Sequence, residues 1–411
     1  MKKELIAASK IVTLVNDGHN LDYGFAKIME PNLDAALIKD ICYGSLRNYY
    51  KYEYYLSQFV KKKIEDEFIK NLLINSIYQL NNQNKKEYTI VNNAVEATKI
   101  INSGFKAFVN AVLRNYLRKK QEVKDSKELK YKYSYPVWWI EKIQKEYKKN
   151  WEKILEEGNS RAKIILRINK KKIPQDEYIK FLMRENIKFE LVLENKFISV
   201  ESKIDIRTLP GYSEGMFSVQ DPAAQLACEL TNITDGMAVL DVCSAPGGKA
   251  AHILEKFDIQ MDCVDINKNR IKLLKENLAR LQLVANVYTD IPDKKYDRII
   301  VDAPCSASGI VKRHIEIKYL RALKDIKKFQ NQQLDIVKNV WNKLKKGGEL
   351  LYITCSVFAE ENQLMVEKIT NTFNDAKLKK IEIPNYYSRI ENQLLPNENH
   401  DGLFYAAFQK I

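Results

Sequence analysis

Two cysteines in this sequence stand where covalent chemistry is expected. Cys305 follows Asp302-Ala303-Pro304 and precedes Ser306, while Cys355 sits between Thr354 and Ser356. Each comes shortly after an apolar run, Ile299 to Val301 and Leu350 to Ile353, so both belong at the exits of buried strands. A thiolate presented there is a nucleophile. It suits a substrate that must be activated by addition. Carbon 5 of a cytosine, for instance, is too electron-poor to attack a methyl donor until a nucleophile has added at carbon 6. In that scheme Asp302 hydrogen-bonds or protonates the ring at N3 as the sulfur attacks, and the enamine that results is nucleophilic at carbon 5. For Cys42, Cys228 and Cys263 the reading is the ordinary one, a small buried hydrophobe. The six cysteines lack the close pairing of a zinc ribbon or a disulfide scaffold, so reduced thiols and no metal site are expected.

Three further apolar runs end in the same way: Ala238 to Leu240 before Asp241, Met261 to Val264 before Asp265, and Val287 with Tyr288 before Asp290. Asp290 alone reads equally well as a helix cap. Five such exits together point to one crevice beyond the carboxyl ends of a parallel sheet. The first exit leads into Cys243-Ser244-Ala245-Pro246-Gly247-Gly248-Lys249, where paired glycines let backbone approach a ligand. This turn matches neither the dinucleotide fingerprint nor the P-loop, which disfavours a hydride-transfer enzyme or an NTPase. Asp265, ending the second run, is placed where an acid commonly grips ribose hydroxyls. A ligand with a ribose and a polar tail is implied.

The elements that must position these residues occupy the C-terminal part, where strands and helices alternate as in a doubly wound sheet. Upstream, no proline lies between Pro31 and Pro136 and no glycine between Gly44 and Gly104. Apolar residues recur at helical spacing from Leu37 to Leu46, Ile69 to Leu80 and Phe105 to Tyr116. Between these parts, Ile164 to Ile168, a helix after Pro174 and a β-rich stretch from Ile187 to Val200 read as a small α+β module. The expected domains are 1–125, 126–215 and 216–411. A chain of 411 residues with 45% hydrophobic and 29% charged content is folded and globular. Its net charge of +14 makes a polyanion the first partner to consider. The early apolar stretch from Leu5 to Val15 is broken by Ser9 and Lys10, and no membrane span is expected, which places the protein in the cytoplasm.

At these residues the sequence resembles the Sun-type family of RNA cytosine-5 methyltransferases. Leu240 to Lys249, Val301 to Ser306, and Tyr352 to Ser356 followed by Glu360-Glu361-Asn362 look like three of the family's motifs in order. The resemblance implies that Cys243, Ser244, Ala245, Pro246, Gly247, Gly248 and Lys249, with Asp265, Asp290 and Asp302, bind S-adenosylmethionine. Asp265 would take the ribose and Asp290 lie near the adenine. It makes Cys355 the attacking nucleophile and Cys305 the group that assists release of the methylated RNA. DNA cytosine-5 methyltransferases attack with the proline-cysteine thiol; the additional threonine-cysteine favours RNA over DNA. Tyr43-Gly44-Ser45-Leu46-Arg47 and the stretch from Gly104-Phe105 through Arg114 look like a NusB-type helical domain, which binds RNA in relatives. The segment from about Ile164 to Val200 resembles the family's pre-catalytic RNA-binding extension, with Arg167 and Lys170 as candidate phosphate contacts. Glu360 and Glu361 read as acids of a helix's first turn. The implied fold is an all-α N-terminal domain, a small α+β middle module and an α/β Rossmann-like class I methyltransferase domain. The implied substrate is 16S rRNA, bound by a monomer. Transfer RNA is the alternative within the same chemistry, and a noncatalytic RNA-binding assembly factor the alternative outside it.

Overall fold

The computed structural model describes residues 1–82, 86–201 and 204–411. Two compact units emerge. The first comprises Met1–Ser160 together with Val311–Leu323, and the second Arg161–Ile310 with Lys324–Ile411.

In the first unit helix follows helix up to Gly158. The apolar spacing read above falls in helices Ala35–Arg47, Glu67–Asn82 and Lys106–Arg118. The first two start at side-chain caps: Asp34 accepts from the Leu37 N–H and Asp66 from the Ile69 N–H. Ile38, Ile41, Leu72, Leu73, Ile77, Val109 and Leu113 form the interior. The late segment joins this unit through Lys318, which is fully buried. Its ammonium donates to the Arg47 carbonyl (2.9 Å) and to Asn159 Oδ1 (2.7 Å), and lies over the Tyr135 ring. Burial holds the Lys318 pKa well below its usual value.

The second unit holds two sheets. The smaller takes β1 (Ile164–Ile168), β2 (Phe189–Val192), β3 (Phe197–Val200) and β4 (Phe217–Val219) in the order β2-β3-β1-β4, every pair antiparallel. Strand β4, beyond residue 215, therefore belongs to this sheet as well. Helix Gln175–Arg184 covers it, burying Tyr178 and Leu182 with Leu166, Ile198 and Phe217.

The larger sheet begins with β5 (Ala238–Val242), β6 (Gln260–Val264), β7 (Asn286–Tyr288), β8 (Tyr296–Asp302) and β9 (Leu344–Thr354). These five are parallel and lie in the order β9-β8-β5-β6-β7. Four antiparallel pairings extend it through β10 (Ala376–Lys379), β11 (Arg389–Ile390), β12 (Gln393–Leu394) and β13 (Phe404–Lys410), with β13 beside β9. Helices cover both faces, so the central strands read as continuous apolar runs. Ile300, Leu351 and Ile353 face one core and Ile299, Val301 and Tyr352 the other. Among the described residues no helix is long and apolar enough to cross a membrane.

Candidate active site

The strand order reverses between β8 and β5, and that is where a crevice opens beyond the strand ends. A cavity of ≈ 450 Å³ lies there, touched by Cys243, Asp265, Asp290, Asp302, Cys305 and Cys355. All five strand exits therefore meet around one space. Asp241 is the exception in detail. It lies inside β5, buried, taking a hydrogen bond from the Ser244 hydroxyl (2.7 Å) while its other oxygen has no hydrogen-bond partner among the described residues. Burial pushes its pKa up to about 7.

The turn after β5 is shaped by conformation and space. Cys243 adopts φ +60° and Gly247 φ +94°. A Cβ on Gly247 would also lie 2.3 Å from Leu274 Cδ1, so glycine is required there. Of this turn Cys243 lines the cavity, whereas Ser244, Ala245, Pro246, Gly247 and Gly248 form the backbone behind it. Lys249 reaches across to Asp302 with a 2.6 Å ion pair. Burial works against the Lys249 ammonium, but Asp302 outweighs it and raises its pKa.

Asp265 is held by backbone. Its Oδ2 accepts from the Ala245 N–H (3.2 Å) and faces Arg270 Nη1 (3.4 Å), and its Oδ1 accepts from the Asn267 N–H (2.9 Å). Arg270 also donates to the Ala245 carbonyl. Asp290 is exposed and takes a hydrogen bond from its neighbour Thr289 (2.9 Å).

At the opposite end the Cys305 and Cys355 sulfurs are 3.3 Å apart. That is contact, well beyond the roughly 2.05 Å of a disulfide, and both are free thiols. Cys305 is buried and Cys355 half-buried. The contact with Cys355, together with burial, holds the Cys305 pKa well above its ordinary value. The two sulfurs are close enough to share a hydrogen bond in which either can donate. Cys42, Cys228 and Cys263 are buried, as the sequence implies, and burial raises each pKa.

One expectation is corrected. Arg167 is not placed for phosphate: it is 3% exposed, and its guanidinium donates to the Glu255 carboxylate (3.0 and 2.6 Å), Gln220 Oε1 (2.5 Å) and the Gly248 carbonyl (2.9 Å). It ties β1 to the helix that starts at the glycine turn. Lys170 is exposed. Glu361 does lie in the first turn of a short helix, Ala359–Glu361, and is in addition fully buried between the two cysteine loops. Sequence reading also missed Gln332, Ile336 and Asn339, which line the cavity from helix Leu323–Trp341. Their spacing by four and three residues, one helix face, was the available signal.

A doubly wound sheet with a glycine turn after its first parallel strand, an acid after its second and a cavity at the switch point defines a Rossmann-like class I methyltransferase fold. Comparison with known proteins narrows this. Residues 229–409 match the 16S rRNA methyltransferase RsmB/F description, 135–206 the RsmF/B-like ferredoxin-like domain and 7–118 the NusB family. The chain is 34% identical to a probable ribosomal RNA small subunit methyltransferase B of Coxiella burnetii, over 91% of this chain and 92% of that one. It is 33% identical to the ribosomal RNA small subunit methyltransferase B of Vibrio cholerae, over 100% and 98%. The chain belongs to the RsmB/F family of small-subunit rRNA methyltransferases. Among solved structures, NSun6 from Pyrococcus horikoshii with SFG shares the fold at TM-score 0.59 and 18% identity, over 67% of this chain and 98% of that one.

Proposed function

We propose that this protein transfers a methyl group from S-adenosylmethionine to carbon 5 of a cytosine in 16S rRNA through a covalent adduct on Cys355. The observation that carries the reading is the single cavity with a thiol pair at one end and Asp265 and Asp290 at the other. The curated relatives, named for the small-subunit ribosomal RNA, favour that substrate over transfer RNA. Intact thiols and acids argue against a purely RNA-binding role.

S-adenosylmethionine, when bound, supplies the methyl group. Asp265 would offer its carboxylate to the ribose, and Asp290, exposed beside the cavity, would face the adenine. The target base must be unstacked, because a helix hides carbon 6 from a thiol. Cys355 Sγ adds at carbon 6 as the thiolate, and Asp302 carries a proton to N3 so that the ring can accept the electron pair; the 2.6 Å contact with Lys249 fixes where the Asp302 carboxyl lies. Once carbon 5 carries the methyl group, its proton passes to water, the bond from carbon 6 to sulfur breaks as the carbon 5–carbon 6 double bond re-forms, and N3 returns its proton to Asp302. Cys305, 3.3 Å from the Cys355 sulfur, hydrogen-bonds to it as it departs and so assists release.

The test is incubation of undermethylated small-subunit rRNA with labelled S-adenosylmethionine and mapping of the product. Label in 5-methylcytosine at a discrete site is expected. Cofactor binding without any 5-methylcytosine would reject the assignment.

A further inference from the structure

Behind the thiol pair lies a buried polar cluster that the reaction scheme does not use. Glu361 stands at its centre, in the short helical turn Ala359–Glu361, with no exposed surface. Its Oε1 accepts from the Ser306 N–H (2.8 Å) and the Gln333 side-chain amide (3.1 Å). Its Oε2 accepts from the Ser306 hydroxyl (2.6 Å) and the Ser356 hydroxyl (2.6 Å). Ser306 follows Cys305 and Ser356 follows Cys355, so one carboxylate grips the residue after each thiol. Gln333 also donates to the Pro304 carbonyl (3.0 Å), just before Cys305. Asn362, the next residue, donates to the Ser356 carbonyl (2.9 Å).

Among the described residues no lysine, arginine or histidine pairs with Glu361, and burial raises its pKa against the pull of these hydrogen bonds. A buried acid without a cation is costly, and an apolar side chain of similar volume would fill the space more favourably. What the acid does and an apolar group cannot is accept four donors at once from three separate segments.

We propose that Glu361 is a positioning residue that locks the two cysteine loops to each other and thereby sets the contact between the Cys305 and Cys355 sulfurs. The consequence for turnover rests on the thiol roles assigned above; the clamp itself does not. Glutamine at this position keeps one acceptor oxygen, and its amide can donate to the two serine hydroxyls, which rotate to receive it. Alanine removes all four bonds.

Sulfur proximity can be read directly in the full-length protein with diamide. This azo oxidant removes two electrons and two protons from a thiol pair, becoming a hydrazine and leaving a disulfide. Peptide mass mapping follows the Cys305–Cys355 link over time. At a temperature well below each variant's melting point, Glu361→Ala should form the link at least roughly tenfold more slowly than wild type, and Glu361→Gln within about threefold of it. The wild-type rate in Glu361→Ala would overturn the proposal. Should Glu361→Ala fail to fold, the double variant Ser306→Ala, Ser356→Ala removes the hydroxyl grips and should show the same slowing; an unchanged rate there is equally contrary. In methylation assays the clamp predicts a fall in kcat at an unchanged KM for S-adenosylmethionine, with recovery in Glu361→Gln. If wild type makes no 5-methylcytosine, the functional assignment fails while the cross-linking result still decides the clamp.

Discussion

The two ends of the cavity are built differently. At the thiol end, Cys305 and Cys355 stand on loops gripped by Glu361, Ser306, Ser308, Ser356 and Asn362, a set of buried polar groups that satisfy one another. At the cofactor end, Asp290 is exposed, Ile266 is 86% exposed, and Asp265 is held mainly by backbone N–H groups. The thiol end, where the proposed mechanism makes and breaks its covalent bond, is held by the protein's own contacts. The other leaves apolar and acidic surface that a bound molecule would cover. Geometry that must be right to a fraction of an ångström is held by a buried network, whereas affinity can be assembled from a few separate contacts.

Variants at each end should separate along this line. Cys355→Ala should lower kcat by roughly 10⁴-fold or more while calorimetry finds cofactor affinity unchanged, because only the bond-forming group is lost. A large affinity loss in that variant would mean the ends are not independent. Next in size, Arg167→Ala leaves Glu255 buried without its partner and should cost about 3–5 kcal/mol in unfolding experiments. A stable Arg167→Ala with weakened RNA binding would restore the phosphate-contact reading that the structure contradicts. Asp265→Ala should weaken S-adenosylmethionine binding by roughly 10- to 100-fold, with kcat recovered at saturation. Asp290→Ala, exposed at the rim, should cost about tenfold or less in the same calorimetry.

The smallest effect concerns pH. Asp241 has a folded pKa raised to about 7 by burial, so the folded state holds its proton where the unfolded chain has lost it. Its contribution favours folding fully below the unfolded carboxylate pKa and is lost as pH rises toward about 7. Asp241→Asn, which can still accept from Ser244, should flatten the stability profile across that window. A profile identical to wild type would show that Asp241 ionises freely in the fold.

Much of the catalytic end was legible in the sequence because strand exits carry a double mark, an apolar run followed at once by an acid or a thiol. The runs ending at Asp265, Asp302 and Cys355 fall in β6, β8 and β9 and deliver those residues to one cavity. Glu361 was read only as an acid of a helix's first turn, which it is, and its burial is visible only once the chain's return past Ser306 is seen. Arg167 was misread: in a chain of net charge +14 one more arginine looks like surface. Its partners lie far along the chain, Glu255 among them, and no local spacing marks such a pair. Lys318 shows the same limit. A lysine in a short helix between two strands gives no sign that it will be buried against residues about 160 to 270 positions earlier, and that contact assigns its segment to the helical unit. The lysine run at 170–172 is divided likewise: Lys171 caps the Leu254 carbonyl and Lys172 the Glu214 carbonyl, leaving Lys170 to solvent.

The division of labour between the two sulfurs is tested most directly by mass analysis of the Cys305→Ala variant after incubation with small-subunit rRNA and S-adenosylmethionine. Nuclease digestion followed by peptide mapping should reveal a methylated cytidine nucleotide attached to Cys355, accumulating because release is impaired. Free 5-methylcytosine released at the wild-type rate, with no nucleotide on Cys355, would contradict the roles assigned to both thiols.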